Sequence, residues 1–218
     1  MSRIVYLHGF ASGPGSKKAR FFRERFSELG IGIEVPDLAE GNFERLTISG
    51  QLKVIERASR GEPVVVIGSS MGGYLAALFA ARHPEVEKVV LMAPAFCFSK
   101  RWPQTLGAAA MEQWKRTDVL KVFHYSEGRD ADLGYQLIED AQQYEDYPAF
   151  EQPALVFQGK NDTVVPPEYA VRFAELHAGT QLHLMESDHE LVNVLDDMWM
   201  DTERFLFGVH AAEKSTRS

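Results

Sequence analysis

A serine set between two glycines is the clearest chemical signal in the sequence. The segment Gly68-Ser69-Ser70-Met71-Gly72 has the form Gly-x-Ser-x-Gly, with a β-branched apolar run before it and an apolar helical run after it. In this pattern a tight strand-to-helix turn lifts the serine hydroxyl above a sheet, and the glycines are needed because the turn leaves no room for Cβ atoms. The pattern makes Ser70 the candidate nucleophile for attack on a carbonyl group.

A serine hydroxyl is a weak nucleophile until a base takes its proton, so the pattern requires a histidine and an acid to orient it. The expected chain order is serine, acid, histidine. Among seven histidines, His189 lies between the last predicted strand and the last predicted helix, where its ring can reach back over the sheet. Asp162 lies just after the preceding strand, at the edge where parallel sheets carry their sites. We predict His189 as the base, Asp162 as the acid, and Asp188 as a cap for the following helix.

Negative charge on an attacked carbonyl oxygen needs fixed hydrogen-bond donors. We expect one donor to be the backbone N–H of Met71, which follows the candidate nucleophile. The second is predicted in the loop after the first strand, at the backbone N–H of Phe10, with Ala11 as the alternative. The Phe10 side chain would then be free to line an acyl pocket, and His8 is interpreted as a structural residue of the same loop.

The elements that must position these residues follow from the hydrophobic pattern. Apolar runs of strand length alternate with helical segments, which predicts an α/β fold with a mostly parallel sheet of about six strands and helices on both faces. The predicted strands cover residues 4–7, 32–35, 64–68, 88–92, 154–158 and 182–185. The predicted helices cover residues 16–29, 43–59, 70–82, 167–177 and 189–207. Strand 64–68 is almost entirely Val and Ile, so we place it at the centre of the sheet.

Residues 98–148 interrupt the alternation, because the gap between two predicted strands is longer than a crossover helix needs. The segment is rich in aromatic residues. It is predicted either to form a small helical cap over a pocket or to be a helix pair that packs against the body. We expect a single domain over residues 1–218, with residues 98–148 as the cap insertion.

Composition excludes several classes of protein. The 218 residues are 45% hydrophobic and 25% charged, which is typical of a globular chain. A formal net charge of −8 disfavours binding to nucleic acid or to an anionic membrane, and no apolar run is long enough to span a bilayer. The N-terminus reaches His8-Gly9 too soon for a signal peptide, and the single cysteine, Cys97, is predicted to pack in the core. We expect a cytoplasmic protein whose partner is a small molecule.

Four motifs, in this order, resemble those of the α/β-hydrolase superfamily: His8-Gly9-Phe10, Gly68-x-Ser70-x-Gly72, Gly159-x-x-Asp162-x-x-Val165-Pro166 and Asp188-His189. The first loop, within residues 6–19, is similar to that of the small bacterial YqiA-like esterases, although the long insertion at 98–148 departs from that compact family. The resemblance implies hydrolysis of acyl esters without a metal or an organic cofactor.

The combined prediction is a serine hydrolase that cleaves carboxylic esters of small molecules through an acyl-enzyme on Ser70. Alternatives on the same triad are an acyl-thioesterase or another acyl or carbon–carbon bond hydrolase, and a further alternative is a non-catalytic binding protein with this fold. A nucleotide site in the first loop is disfavoured, because the third glycine and the Lys-Ser/Thr pair of phosphate-binding loops are missing. The cations Lys17, Lys18 and Arg20 are either a solvated helix face or a site for an anionic part of the substrate.

Overall fold

The computed structural model describes residues 2–208, so Met1 and residues 209–218 of the predicted domain lie outside the described part. The strands are β1 (Arg3–Leu7), β2 (Ile33–Glu34), β3 (Val64–Ser69), β4 (Val86–Met92), β5 (Leu120–His124), β6 (Arg129–Leu133), β7 (Ala154–Gly159) and β8 (Thr180–Met185). The helices are α1 (Lys17–Glu28), α2 (Ile48–Ser59), α3 (Met71–Ala80), α4 (Phe98–Leu106), α5 (Ala108–Thr117), α6 (Gln136–Ala141), α7 (Pro167–Leu176) and α8 (Leu195–Phe207). None of these helices is both long and apolar enough to cross a membrane.

Six of the strands form one parallel sheet in the order β2-β1-β3-β4-β7-β8. This arrangement confirms the predicted fold class. All six residues of β3 are buried, and the strand lies between β1 and β4, as its β-branched sequence predicts. Because all six strands of this sheet run in the same direction, the loops that follow their carboxyl ends meet at one edge of the sheet.

Helices cover both faces of the sheet, and the alternation of side chains divides the core in two. Val5 and Leu7 of β1 belong to one buried cluster, which also receives side chains of α2, α3 and α7. The neighbouring residues Ile4 and Tyr6 belong to the other cluster, with side chains of α1 and α8. Alternate residues of β1 face opposite sides of the sheet, as strand geometry requires.

Helix α3 is the element most deeply placed against the sheet. All ten of its residues are buried, in agreement with a segment that is apolar all round and carries no charge. A helix without a solvent face cannot rotate or slide without exposing apolar surface. It therefore holds the residue at its start, Ser70, in a defined position.

The structure corrects three sequence-based boundaries. The predicted helix 43–59 is a 3₁₀ turn at Phe43–Arg45 followed by α2, because the Thr47 side chain accepts the N–H of Gly50 (2.9 Å) and starts a new helix. The predicted helix 189–207 begins as a 3₁₀ turn at Val192–Val194 before α8. Residues 98–148 contain α4, α5 and α6, but also an antiparallel hairpin of β5 and β6, which the sequence analysis did not predict.

The turn between β3 and α3 has no space for side chains at its two glycines. A Cβ on Gly68 would lie 2.1 Å from the carbonyl oxygen of Gly72, and a Cβ on Gly72 would lie 2.2 Å from the carbonyl oxygen of Leu7. Both contacts are with backbone, which cannot move aside without displacing α3 in the first case or β1 in the second. The tight turn thus joins β3, α3 and the end of β1.

This crowding predicts that Gly72→Ala destabilises the protein by at least about 2 kcal/mol, the scale of overpacking in a core. The matched control is Gly15→Ala, where an added Cβ would have no neighbour within 4 Å and φ is not positive. The free energy of unfolding in urea measures both changes. A loss for Gly72→Ala no larger than that of the control would contradict the close approach of the turn to β1.

Candidate functional site

Ser70 lies at the start of α3 with an unusual backbone conformation. Its φ of 54° and ψ of −116° fall in a region that residues with a side chain rarely adopt, at a cost of about 1–3 kcal/mol. The Ser70 N–H donates to the carbonyl of Met92 (2.8 Å), and the Ser70 carbonyl accepts from Tyr74 (3.1 Å) and Ala95 (3.0 Å). These bonds to β4, to α3 and to the loop after β4 hold the strained residue in place.

The three residues predicted to act together are brought together by the structure. The Nε2 atom of His189 lies 3.0 Å from the Oγ atom of Ser70, and its Nδ1 atom lies 2.7 Å from Oδ2 of Asp162. With Nδ1–H donating to the carboxylate, Nε2 is free to accept the serine hydroxyl proton. Ser70 and His189 are partly exposed, whereas the Asp162 side chain is fully buried.

The Asp162 carboxylate accepts four N–H bonds. Its Oδ1 accepts from the backbone of Val164 (2.9 Å) and Val165 (2.8 Å), and its Oδ2 accepts from His189 and from the side-chain amide of Gln158 (2.9 Å). Burial by itself would raise the pKa of this carboxyl. The hydrogen bonds favour the ionised form more strongly, and the pKa of Asp162 lies below its ordinary value.

The loop that carries His189 is held on both sides. The Lys18 ammonium donates to the carbonyl of Glu190 (2.6 Å), and burial lowers the pKa of Lys18. The Asn193 side-chain amide donates to the carbonyl of Glu186 (2.9 Å). The prediction that Asp188 caps the following helix is wrong. Its Oδ1 accepts the N–H of Glu190 (2.9 Å), and this bond closes a turn inside the loop. Helix α8 begins later, at Leu195.

The two predicted backbone donors lie in the loops that follow β1 and β3, two strands that pair with each other. Within residues 2–208, neither the N–H of Met71 nor that of Phe10 donates a hydrogen bond to another group of the chain. Met71 opens α3, where N–H groups have no partner inside the helix. Gly9, which precedes Phe10, is close to the nucleophile, since a Cβ on it would lie 3.5 Å from the Cβ of Ser70.

His8 holds this first loop from within, as the sequence analysis interprets it. Its Nε2 accepts the N–H of Leu38 (3.2 Å), and its Nδ1 donates to the carbonyl of Gly9 (3.0 Å). Burial lowers the pKa of His8, which agrees with a neutral ring that has one donor and one acceptor nitrogen.

Residues 98–148 contact the loops around the site. The Trp102 ring on α4 packs edge-on against Phe10, with ring centroids 5.2 Å apart. The N–H of Tyr125, in the turn between β5 and β6, donates to the carbonyl of Ala11 (2.8 Å). Arg101 donates to the carbonyl of Val164 (2.7 Å), in the loop that carries Asp162.

The remaining candidate residues have other surroundings. Cys97 is buried, and this burial raises the pKa of its thiol, in agreement with the predicted packing role. Lys17 and Arg20 are exposed on α1. Lys18 differs from them, because it is partly buried and binds the loop of His189. In the described residues, no cluster of three or more His, Cys, Asp and Glu side chains is arranged to hold a metal ion.

Two contacts at this site were not predicted from the sequence. One is the hydrogen bond from Gln158 to Asp162, and the other is the hydrogen bond from Lys18 to Glu190. Gln158 left a signal, because it is the one polar residue in the run Ala154-Leu155-Val156-Phe157-Gln158 and lies next to the loop of Asp162. A polar side chain in a buried strand requires a partner nearby. Lys18 left none, because a lysine on an amphipathic helix normally faces solvent.

The lowered pKa of Asp162 predicts how stability depends on pH. The folded pKa is below the unfolded value, so the ionised carboxylate stabilises the native state above about pH 4, and this contribution is lost as the pH falls through the folded pKa. Urea unfolding of wild type and Asp162→Asn across the acid range measures it. Wild type is expected to lose stability more steeply below about pH 4 than the variant. Equal slopes would contradict the lowered pKa.

Comparison with known proteins agrees with this architecture. The model of a family described as "Uncharacterised protein family (UPF0227)" matches residues 3–203. Mouse alpha/beta hydrolase domain-containing protein 10 is 18% identical, with a TM-score of 0.78 over 93% of this chain and 88% of that chain. Est1E from Butyrivibrio proteoclasticus, solved with ferulic acid, is 18% identical, with a TM-score of 0.74 over 94% of this chain and 88% of that chain.

Monoacylglycerol lipase from Paleococcus ferrophilus is also 18% identical, with a TM-score of 0.73 over 93% of this chain and 92% of that chain. At these low sequence identities, the TM-scores establish that the proteins share a fold and nothing more. The family match covers most of the sequence and confirms the resemblance seen in the first loop and the serine turn. The chain therefore belongs to the UPF0227 family and has the α/β-hydrolase fold.

Proposed function

We propose that this protein is a serine hydrolase that cleaves carboxylic esters of small molecules. The observation that carries the proposal is the His189 ring, which lies between the Ser70 hydroxyl (3.0 Å) and the Asp162 carboxylate (2.7 Å). These are the distances at which a base can take a serine proton while an acid fixes its tautomer. The three side chains come from three separate loops at one edge of the sheet. A purely structural role would not require these three loops to place their side chains in contact.

In the proposed reaction, the Ser70 oxygen attacks the ester carbonyl carbon as its proton moves to Nε2 of His189. Asp162 stabilises the imidazolium that results, and the ring then gives the proton to the departing alcohol as the carbon–oxygen bond breaks. An acyl group remains on Ser70. Water attacks the acyl carbon and gives a proton to His189, and the ring returns a proton to the serine oxygen as the acid leaves.

The unpaired N–H groups of Met71 and Phe10 support an oxyanion site in this proposal. A tetrahedral intermediate carries negative charge on the former carbonyl oxygen, and backbone donors that are already in place stabilise it without rearrangement. Phe10 has a second role here, because its side chain packs against Trp102 and Phe43 (ring centroids 5.2 and 5.4 Å apart). One residue thus links the oxyanion site to an aromatic wall.

We further propose that residues 98–148 act as a cap over the site. The support is that this segment contacts two loops of the site. Trp102 and Tyr125 contact the first loop at Phe10 and Ala11, and Arg101 contacts the acid loop at Val164. Aromatic rings packed around Phe10, whose N–H is the proposed second oxyanion donor, favour an apolar or aryl acyl group as the substrate class. Thioesters remain the alternative, because the same donors and triad serve both kinds of acyl transfer.

The first test is Ser70→Ala with short p-nitrophenyl esters as substrates. Turnover is expected to fall by a factor of about 10⁴ or more, because no group remains to form the acyl-enzyme, while the unfolding temperature changes little. The matched control is Ser69→Ala, which removes a neighbouring hydroxyl outside the triad. A fluorophosphonate probe should label Ser70 in the wild type and in the control. Undiminished turnover by Ser70→Ala would exclude the assignment, and the absence of labelling would favour a non-catalytic binding protein.

The cap is tested with Trp102→Ala and a panel of aryl and alkyl esters and thioesters. Loss of the ring contact with Phe10 is expected to raise KM for esters of aromatic carboxylic acids by about fivefold, since one aromatic pair contributes about 1 kcal/mol. The kcat for p-nitrophenyl acetate should change little. Phe123→Ala is the control, because this ring lies in the same segment but is 49% exposed. An equal KM in wild type and Trp102→Ala would contradict the cap. Higher kcat/KM with thioesters would favour the thioesterase alternative.

A further inference from the structure

Gln158 is a fully buried polar residue at the end of β7, four positions before Asp162. Its side-chain nitrogen donates to Oδ2 of Asp162 (2.9 Å) and to the carbonyl of Val165 (3.0 Å), with the carbonyl of Gly159 at 3.4 Å. The NH₂ group is thus surrounded by three acceptors. All three belong to the turn that carries the proposed catalytic acid.

The orientation of this amide is determined by its surroundings. If the group were flipped, its oxygen would face two carbonyl oxygens and a carboxylate, which are all acceptors. In the observed orientation the Oε1 atom is buried, and within residues 2–208 it has no hydrogen-bond partner. Buried acceptors without partners are rare, and each calls for an explanation. Here the amide leaves its oxygen unpaired while its nitrogen binds the carboxylate.

We propose that Gln158 is a positioning residue that acts through Asp162. The inference rests on the proposed function. Gln158 and His189 bind the same carboxylate oxygen, whereas the other oxygen is held by the backbone of Val164 and Val165. Without Gln158, the imidazole that Oδ2 is meant to orient is the one partner left to that oxygen within residues 2–208.

The consequence is specific to the reaction. When the serine proton moves to His189, the ring becomes positive and pulls on Oδ2. A second donor to that oxygen, held on β7 by the surrounding core, keeps the carboxylate from following the ring, so Nε2 stays aligned with the serine oxygen. Loss of the amide therefore lowers the rate of the chemical step and leaves substrate binding unchanged, because Gln158 is fully buried and its amide binds the turn of Asp162.

The test compares Gln158→Met with Gln152→Met. Methionine keeps the unbranched shape and removes the amide. Gln152 is a matched control, since its nitrogen also donates to two backbone carbonyls, of Ala80 (3.2 Å) and His83 (3.5 Å), and its oxygen is also unpaired in the described chain. It precedes β7, at the opposite end of that strand from Asp162. Gln158→Met is expected to lower kcat roughly tenfold or more with KM unchanged, while Gln152→Met leaves both unchanged.

A double-mutant cycle separates positioning from general loss of structure. In the Asp162→Asn background, Gln158→Met should have little further effect on the residual rate of fluorophosphonate labelling, because the residue acts only through the carboxylate. Effects that multiply independently would overturn the proposal. If Gln158→Met does not fold, Gln158→Asn takes its place, since its amide is one methylene too short to reach Asp162.

A measurement that needs no turnover keeps this inference distinct from the proposed function. In the NMR spectrum of the full-length protein, the His189 proton shared with Asp162 reports on that hydrogen bond. Its signal is expected to shift in Gln158→Met and to stay in place in Gln152→Met, whatever the protein hydrolyses. An unchanged signal in both variants would overturn the positioning role even if ester hydrolysis is established. A shifted signal in a protein without hydrolase activity would contradict only the proposed function.

Discussion

The hydrogen bonds of one buried carboxylate connect the parts of this site. Asp162 accepts from its own turn, from Gln158 on β7 and from His189 on the loop after β8. An ionised group in the interior is costly unless donors surround it, and here they do. The His189 ring transmits this constraint to Ser70. Two loops that are distant in sequence are thereby held within a few ångströms of the start of α3, and any change at the carboxylate reaches the hydroxyl through the imidazole.

The sheet provides the frame for this carboxylate. Parallel strands place the ends of β1, β3, β7 and β8 at the same edge, so the first loop, the serine turn, the acid turn and the histidine loop become neighbours. The contact between the turn after β3 and the carbonyl of Leu7 couples the serine to the first loop, and the burial of α3 on all sides prevents either from shifting. The precision of the site thus depends on backbone packing as much as on side-chain hydrogen bonds.

Much of this arrangement follows from the sequence. The six strands of the main sheet and the central place of β3 follow from apolar patterning, and the pairing of Ser70 with His189 and Asp162 follows from their order after successive strands. The hairpin of β5 and β6 was missed, because its alternation is short and interrupted by charged residues. The contact of Lys18 with Glu190 was missed for another reason: it joins residues far apart in the chain, and nothing local marks it. The capping role of Asp188 was predicted wrongly, because an aspartate side chain that accepts a nearby N–H can close a turn as well as start a helix. Here it closes a turn before the helix begins.

Two energetic costs of this structure lie within the hydrogen-bond chain of the site. Ser70 holds a strained backbone conformation, and the buried oxygen of Gln158 has no partner in the part of the chain that the structure describes. Each costs on the order of 1–3 kcal/mol, a large fraction of the net stability of a domain. A fold selected for stability alone would relieve both, by a glycine at one position and an apolar side chain at the other. Glycine would remove the hydroxyl that faces His189, and an apolar residue would remove a donor from Asp162. At these two positions, relief of the cost would therefore dismantle the hydrogen-bond chain from β7 to the serine.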